Sequence, residues 1–191
     1  MFGIIKNSIF GGTEETKYDV LSNETKEEGT YEIRRYKAAR YATLTSEGKP
    51  FDQSTGECMK QMLLYVGGNN DKGEGMGMTA PVCITVSPKD DGTLQDRVVV
   101  GLRLPERYQE NPPTPTDSSI QFEDRAALTV YVTRFGGYAH EKEYCTEAAR
   151  LTQMLGEGTT FQKDKYFCCG YDPPVKPYGR RNEVWFIKEE H

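Results

Sequence analysis

The chain has 191 residues, and its 29 acidic residues outnumber its 24 lysines and arginines, giving a formal net charge of −5. As a whole it repels a phosphate backbone, so no nucleic-acid partner is expected. Hydrophobic residues make up 36% of the chain, which is ordinary for a globular protein and excludes wholesale disorder. Apolar runs such as residues 98–100 fall far short of the roughly 20 residues that cross a bilayer, so no membrane span is expected.

The cysteines and the N-terminus indicate the compartment. The five cysteines form no CxxC pair, and Cys168 and Cys169 are adjacent, a spacing poorly suited to an ordinary disulfide, so reduced thiols are expected. Residues 1–10 lack the basic lead and long apolar stretch of a secretory signal. We therefore expect a cytoplasmic protein. One core can bury most of its apolar side chains, so we expect one domain, residues 15–190, preceded by an N-terminal segment, residues 1–14.

The first predicted elements are strands. Residues 13–28 hold six acids against two lysines and are expected to be mostly solvated. From Thr30, β-branched and aromatic residues alternate with charged ones, which predicts a strand. A second strand is predicted through Tyr41 and Leu44.

A helix is predicted to follow. Asp52 can cap its N-terminus, and Gly67 is suited to end it. Between them one stripe of the helix is apolar. Its members are Cys58, Met59, Met62, Leu63 and Val66.

The second half of the chain repeats the pattern of the first, since residues 134–139, before the second predicted helix, resemble Arg35-Tyr36 and Tyr41-Ala42, before the first. Strands are predicted over residues 81–86 and 97–104, and a proline-dense loop over residues 111–117. Another helix is then expected over residues 141–155, ended by Gly156, with a strand over residues 166–169. Two halves of the form strand, strand, helix, strand would each expose an apolar face. We therefore expect them to close into one mainly antiparallel sheet or barrel with two helices, an α+β fold.

Motifs for catalysis, phosphate or metal are weak. The glycine-rich run at residues 73–78 lacks the GxGxxG spacing and follows a helix, so it is interpreted as a turn. The two histidines, His140 and His191, have no neighbouring ligands at metal-binding spacing, so no structural metal is expected. No nucleophile motif accompanies the cysteines. The chain is therefore not expected to be an enzyme.

Two features stand out chemically. The methionines of the predicted helix stripe suit a deformable surface for a flat apolar ligand, although such a stripe is by default core. The loop over residues 171–181 combines aromatic side chains, prolines, three cations and one acid. It is either a solvated connection or a rim for carboxylates, because arginine presents paired donors and prolines limit the entropy that closure removes.

The residues around these features resemble those of the SOUL family. The resemblance is carried by three long motifs, residues 65–81, 134–139 and 170–185. For this chain it implies a monomeric, twisted, mainly antiparallel β-barrel with two helices in two pseudo-symmetric halves. It also implies reversible binding of haem and other tetrapyrroles.

The resemblance implies a binding site as well. The tetrapyrrole is expected between residues 52–66 and 171–181, with Met59 and Leu63 on the ring and Lys176 on a propionate. The predicted ligand-binding side chains are Met59, Met62, Leu63, Val66, Tyr171, Lys176, Arg180 and Arg181. No side chain is assigned as an iron ligand, so metal-free porphyrins are expected to bind as well as haem.

Two other functions stay open. The resemblance includes a chemoattractant role for a released N-terminal peptide, so residues 1–10 are a candidate recognition segment for a peptide receptor; alternatively, they pack on the barrel. The fold also resembles bacterial ligand-binding and hydrolase domains, which leaves hydrolysis of a small apolar molecule as a third hypothesis.

Overall fold

The computed structural model describes residues 13–189. The candidate recognition segment, residues 1–10, lies outside the described residues, as does His191. The structure therefore bears on the predicted domain and on the last two residues of the predicted N-terminal segment.

The described chain contains eleven strands and two α-helices. The strands are β1 (Glu14–Glu15), β2 (Asp19–Lys26), β3 (Gly29–Tyr36), β4 (Ala39–Glu47), β5 (Thr79–Ala80), β6 (Val82–Pro88), β7 (Leu94–Arg103), β8 (Gln121–Arg125), β9 (Leu128–Phe135), β10 (Tyr166–Gly170) and β11 (Asn182–Ile187). The helices are α1 (Phe51–Val66) and α2 (Glu141–Leu155), and a short 3-10 helix spans Glu106–Tyr108. Both predicted helices and the proline-dense loop are confirmed.

The acidic stretch over residues 13–28 departs from its prediction in one respect. It is largely exposed, as expected, but it forms β1 and β2. β2 is an edge strand that pairs only with β3 among the described strands. An edge strand pairs along one side and faces water along the other, so it tolerates charged side chains. Because these side chains interrupt the alternation of apolar and polar residues, the strand could not be predicted from that alternation.

Nine of the described strands form one sheet, in the order β2-β3-β9-β11-β10-β6-β7-β4-β8. The central six strands are symmetric about the β10–β6 pair, since β11 and β9 on one side correspond to β7 and β4 on the other. The next strands outward are exchanged between the halves: β3 of the first half pairs with β9 of the second, and β8 of the second half pairs with β4 of the first. The predicted pair of related halves is confirmed, and this exchange joins them into one unit.

The sheet ends at β2 and β8 within the described chain, so hydrogen bonds do not close it into a complete barrel. Its twist and the helices give the predicted α+β, barrel-like fold. A separate two-stranded sheet pairs β1 with β5 in parallel. That small sheet holds the N-terminal strand beside the start of β6.

The two helices pack against the large sheet, α1 on β7 and β4, and α2 on β9, β11 and β3. The main core lies between them and the sheet. Asp52 does not cap α1, contrary to the prediction: the N-cap is Pro50, and no side chain bonds there. Instead, Asp52 accepts a hydrogen bond of 3.2 Å from the backbone N–H of Glu141, the first residue of α2.

Candidate functional site

The loop over residues 171–181 lies at one end of the sheet. It joins the end of β10 to the start of β11. Gly170 pairs with Val82, the first residue of β6, and Asn182 pairs with Phe135, the last residue of β9. The ends of four neighbouring strands therefore support this loop.

The loop is held by its own hydrogen bonds. Asp172 accepts one from the backbone N–H of Arg181 at 2.5 Å and one from Lys176 Nζ at 3.1 Å. Arg180 donates to the carbonyl oxygens of Pro173 at 2.6 Å and Lys176 at 3.1 Å. Its guanidinium also lies 4.0 Å from the centre of the Tyr138 ring. Arg180 therefore stabilises the loop from within.

One side of the loop forms a pocket of about 680 Å³. That volume lies in the range of about 300–1,000 Å³ typical of small-molecule sites. The pocket is lined by Thr13, Glu15, Ala80, Tyr171, Asp172, Pro173, Val175, Lys176, Gly179 and Arg181. Apolar surface from alanine, proline, valine and the tyrosine ring is thus placed beside two cations, each paired with a carboxylate of the pocket. The apolar surface suits a flat ligand, and the cations suit an anionic edge that competes with those carboxylates.

Arg181 is held between two neighbours at this pocket. Its guanidinium lies over the Tyr171 ring, 3.7 Å from the ring centre. It also forms an ion pair with Glu15 of β1, whose carboxylate remains half exposed. The Arg181 side chain is therefore held at the pocket by an aromatic face and a half-exposed carboxylate.

Beneath the pocket, Tyr171 connects the loop to a buried charge cluster. Its hydroxyl donates a 2.6 Å hydrogen bond to Glu183, and Glu183 accepts a bidentate pair from Arg34 at 2.9 and 3.0 Å. Trp185 Nε1 donates to the same carboxylate at 2.9 Å. Glu183 and Arg34 are 0% and 1% exposed, so no solvent competes for these bonds.

This cluster keeps Glu183 ionised. Burial by itself would raise the pKa of its carboxyl group, but the hydrogen bonds and charge of Arg34, with the Tyr171 and Trp185 donors, outweigh burial and leave the pKa below its ordinary value. Burial beside that negative charge raises the pKa of the Tyr171 phenol, so its hydroxyl remains a donor. The cluster therefore holds Tyr171, the first residue of the loop, in place from below.

Outside the pocket lining, α1 presents an open stripe. Asp52, Gly56, Met59 and Leu63 recur at helical spacing on one face. Asp52 contacts the start of α2, and Tyr138, just before α2, donates a 2.8 Å hydrogen bond to the Pro174 carbonyl of the loop. The segment between β9 and α2 therefore connects this face of α1 to the loop.

The α1 stripe offers apolar contact surface. Leu63 is 48% exposed, and Met59 is partly buried against the main core. A Cβ added at Gly56 would meet nothing within 4 Å, so the surface there is open. Other partly buried apolar side chains, Val82, Phe135 and Ala139, also pack against the core at this end of the sheet.

The predicted binding residues separate into four groups. Tyr171, Lys176 and Arg181 line the pocket. Met59 and Leu63 lie on the α1 stripe outside the pocket lining, and Arg180 is engaged inside the loop. Met62 and Val66 are buried in the core, because their spacing places them on the face of α1 that packs against the sheet. The ligand contacts of all these residues stay predictions.

Sequence reasoning missed the opposite wall of the pocket, which is built by Thr13, Glu15 and Ala80. These residues are brought there by the parallel pairing of β1 with β5. Strands of two residues carry no periodic signal, so no pattern could indicate that pairing. Asp172 could have been identified, as the acid among the loop's cations.

Residues 13–189 contain no group of three or more His, Cys, Asp or Glu side chains arranged to hold a metal ion. None of the described helices is long and apolar enough to span a bilayer.

Residues 13–187 match the SOUL heme-binding protein family, a range that includes the loop, α1 and β1. The chain belongs to the SOUL family. It is 50% identical to Heme-binding protein 1 of Xenopus tropicalis, over 98% of this chain and 99% of that protein. Identity to Heme-binding protein 1 of Bos taurus is 49%, over 98% of each chain.

More distant relatives extend the comparison. Human Heme-binding protein 2 is 33% identical over 84% of this SOUL chain and 79% of its own length. Among solved structures, the EcmrR C-terminal domain aligns with a TM-score of 0.60 at 12% identity, covering 84% of this chain and 98% of that domain. A hydrolase from Listeria innocua aligns with a TM-score of 0.54 at 10% identity, covering 88% and 94%. These two structures share the fold.

Proposed function

We propose that this SOUL protein binds haem and metal-free porphyrins non-covalently at the loop over residues 171–181. Its relatives at about half identity carry the name Heme-binding protein 1. The observation that carries the proposal is the pocket in which Lys176 and Arg181 lie beside apolar surface. The proposed function is to sequester, buffer or transfer free tetrapyrroles in the cytosol, as a monomer and without catalysis.

The chemistry of the ligand matches the cations of the pocket and the apolar stripe of α1. A tetrapyrrole is a flat apolar plate with carboxylates on one edge. In the proposed complex, Lys176 and Arg181 pair with those carboxylates, and Met59 and Leu63 on α1 contact the ring. Arginine and lysine suit this edge because charge-assisted hydrogen bonds to carboxylates are stronger than neutral ones.

The affinity comes mainly from the apolar plate. Burying about 300 Å² of ring at roughly 25 cal/mol per Å² contributes on the order of 7 kcal/mol before the cost of association. Exposed ion pairs at the rim each add about 0.2–1 kcal/mol. Neither contribution needs an iron ligand, so the binding is reversible and metal-free porphyrins are accepted.

Titration with haemin and, separately, with protoporphyrin IX tests this proposal. The Soret band should change and saturate at one ligand per chain for both. Saturable binding of neither ligand would contradict the proposal. Binding of haemin alone would show that an iron–protein bond, rather than the apolar face and the cationic rim, provides the affinity.

A further inference from the structure

The strand β1 lies at the pocket, and among the described strands its backbone pairs with β5 alone. β1 pairs with β5 through backbone hydrogen bonds from Glu14 N to Met78 O at 3.0 Å and from Thr16 N to Ala80 O at 2.9 Å. Successive side chains of a strand point to opposite faces. Glu14 pairs with Arg103 at 3.3 Å and accepts from the backbone N–H of Glu106 at 3.1 Å, away from the pocket.

Glu15 points the other way and reaches the pocket. It lines the cavity and forms the ion pair with Arg181. Within the described chain, Glu15 is the carboxylate paired with this guanidinium. A ligand carboxylate that approaches Arg181 therefore meets a guanidinium whose Nη2 is already paired with a carboxylate of the protein.

The two carboxylates of the pocket differ in how firmly they are held. Asp172 is 13% exposed and bonds both to Lys176 and to the backbone of Arg181, so it is part of the loop structure. Glu15 is 57% exposed and belongs to a separate two-residue strand. Glu15 can separate from Arg181 while the loop keeps all of its internal hydrogen bonds. Asp172 cannot separate from Lys176 and the Arg181 backbone without breaking two of those bonds.

We propose that Glu15 is an internal competitor of the ligand's carboxylate, occupying Arg181 until a carboxylated tetrapyrrole displaces it. This inference rests on the proposed function and adds a specificity-determining residue to the same site. Ligands without a free carboxylate cannot displace Glu15, so they gain nothing from Arg181. The strand β1 thereby makes binding depend on the ligand's anionic edge as well as on its apolar plate.

The test compares the Glu15→Gln variant with the wild type using two probes, protoporphyrin IX and its dimethyl ester, which has no free carboxylate. Glu15→Gln should bind protoporphyrin IX about two- to fivefold more tightly, the range that an exposed ion pair supports. Its affinity for the dimethyl ester should be unchanged. The gain should shrink at high salt, since screening weakens the pair that competes.

Two further variants isolate the effect. Glu47→Gln removes a carboxylate from an exposed arginine pair, Glu47 with Arg97 at 3.0 Å, at the opposite end of β4 and β7, and should leave both affinities unchanged. In an Arg181→Gln background, Glu15→Gln should not change the affinity for protoporphyrin IX, because the guanidinium for which Glu15 competes is absent.

The outcomes separate this inference from the proposed function. Wild-type binding of protoporphyrin IX with no gain in Glu15→Gln, or an equal gain for the dimethyl ester, overturns the role of Glu15 and leaves the function intact. No saturable binding by the wild type overturns both.

Discussion

Two arginine–glutamate pairs contact Tyr171, and they differ in burial. Arg34 and Glu183 are almost completely buried, and Glu183 accepts the hydroxyl hydrogen bond of Tyr171. Arg181 and Glu15 are 30% and 57% exposed, and the Arg181 guanidinium lies over the ring of Tyr171. The same side-chain types thus stand below and above one aromatic residue.

The difference shows that burial, and not residue type, decides what an ion pair can do. The buried Glu183 carboxylate is bonded at both oxygens, and breaking its pair with Arg34 removes the main compensation of a buried charge. An exposed pair is worth little and can be exchanged for a ligand at small cost. The buried pair therefore supports the loop, while the exposed pair is available to a ligand.

The largest expected effect is on the buried pair. Glu183→Gln keeps the shape of the side chain but leaves the buried Arg34 with only the partly exposed Glu32 as its counter-charge among the described residues. The free energy of unfolding should therefore fall by up to about 3–5 kcal/mol, the cost of breaking a buried ion pair. Urea unfolding followed by the fluorescence of Trp185, the one tryptophan of the chain, measures it. Glu47→Gln, at an exposed pair, is the control and should cost less than about 1 kcal/mol. Equal losses would show that burial does not distinguish the pairs.

Acidification should act on the same carboxylate without a mutation. Since the folded-state pKa of Glu183 lies below its ordinary value of 4.5, its stabilising contribution is complete above that value and is lost as the pH falls through the folded-state pKa. Urea midpoints measured at descending pH should fall for the wild type. The fall should be smaller in Glu183→Gln, and parallel curves for the two proteins would contradict the assignment.

On the exposed side of Tyr171, charge reversal should weaken binding. Lys176→Glu removes one attraction to a porphyrin carboxylate and adds a repulsion, so the affinity for protoporphyrin IX should fall about tenfold at low salt. The loss should shrink as salt rises. Lys49→Glu is a matched control, because both lysines are 46% exposed and paired with an acid. A loss at Lys176 that is independent of salt would indicate damage to the loop.

The smallest expected effect concerns the apolar stripe of α1. Leu63 and Leu64 are 48% and 54% exposed, but they point about 100° apart around the helix, and Leu63 shares the face of Asp52. Leu63→Gln should weaken protoporphyrin binding about threefold through lost apolar contact, while Leu64→Gln should not. Titration of both variants measures this, and equal losses would place the ring away from the stripe.

Much of the fold was predictable because it depends on local patterns. The repeat of strand, strand, helix, strand, the bounds of α2 and the stop of α1 before Gly67 all follow from hydrophobic spacing and end signals. The cationic loop was predictable as well, since its tyrosines, prolines and arginines are close in sequence. Each of these features depends on residues that are close together in the sequence.

Tertiary structure decided which of those residues are available to a ligand. Met62 and Leu63 are adjacent in sequence, yet one is 0% and the other 48% exposed, because helix rotation and the packing of α1 on the sheet separate them. Glu15 reaches Arg181 across 166 positions of chain only because β1 pairs with β5. The sequence by itself therefore determined the elements and the chemistry of the loop, whereas contacts between distant residues determined which charges are buried, which are paired and which can be exchanged.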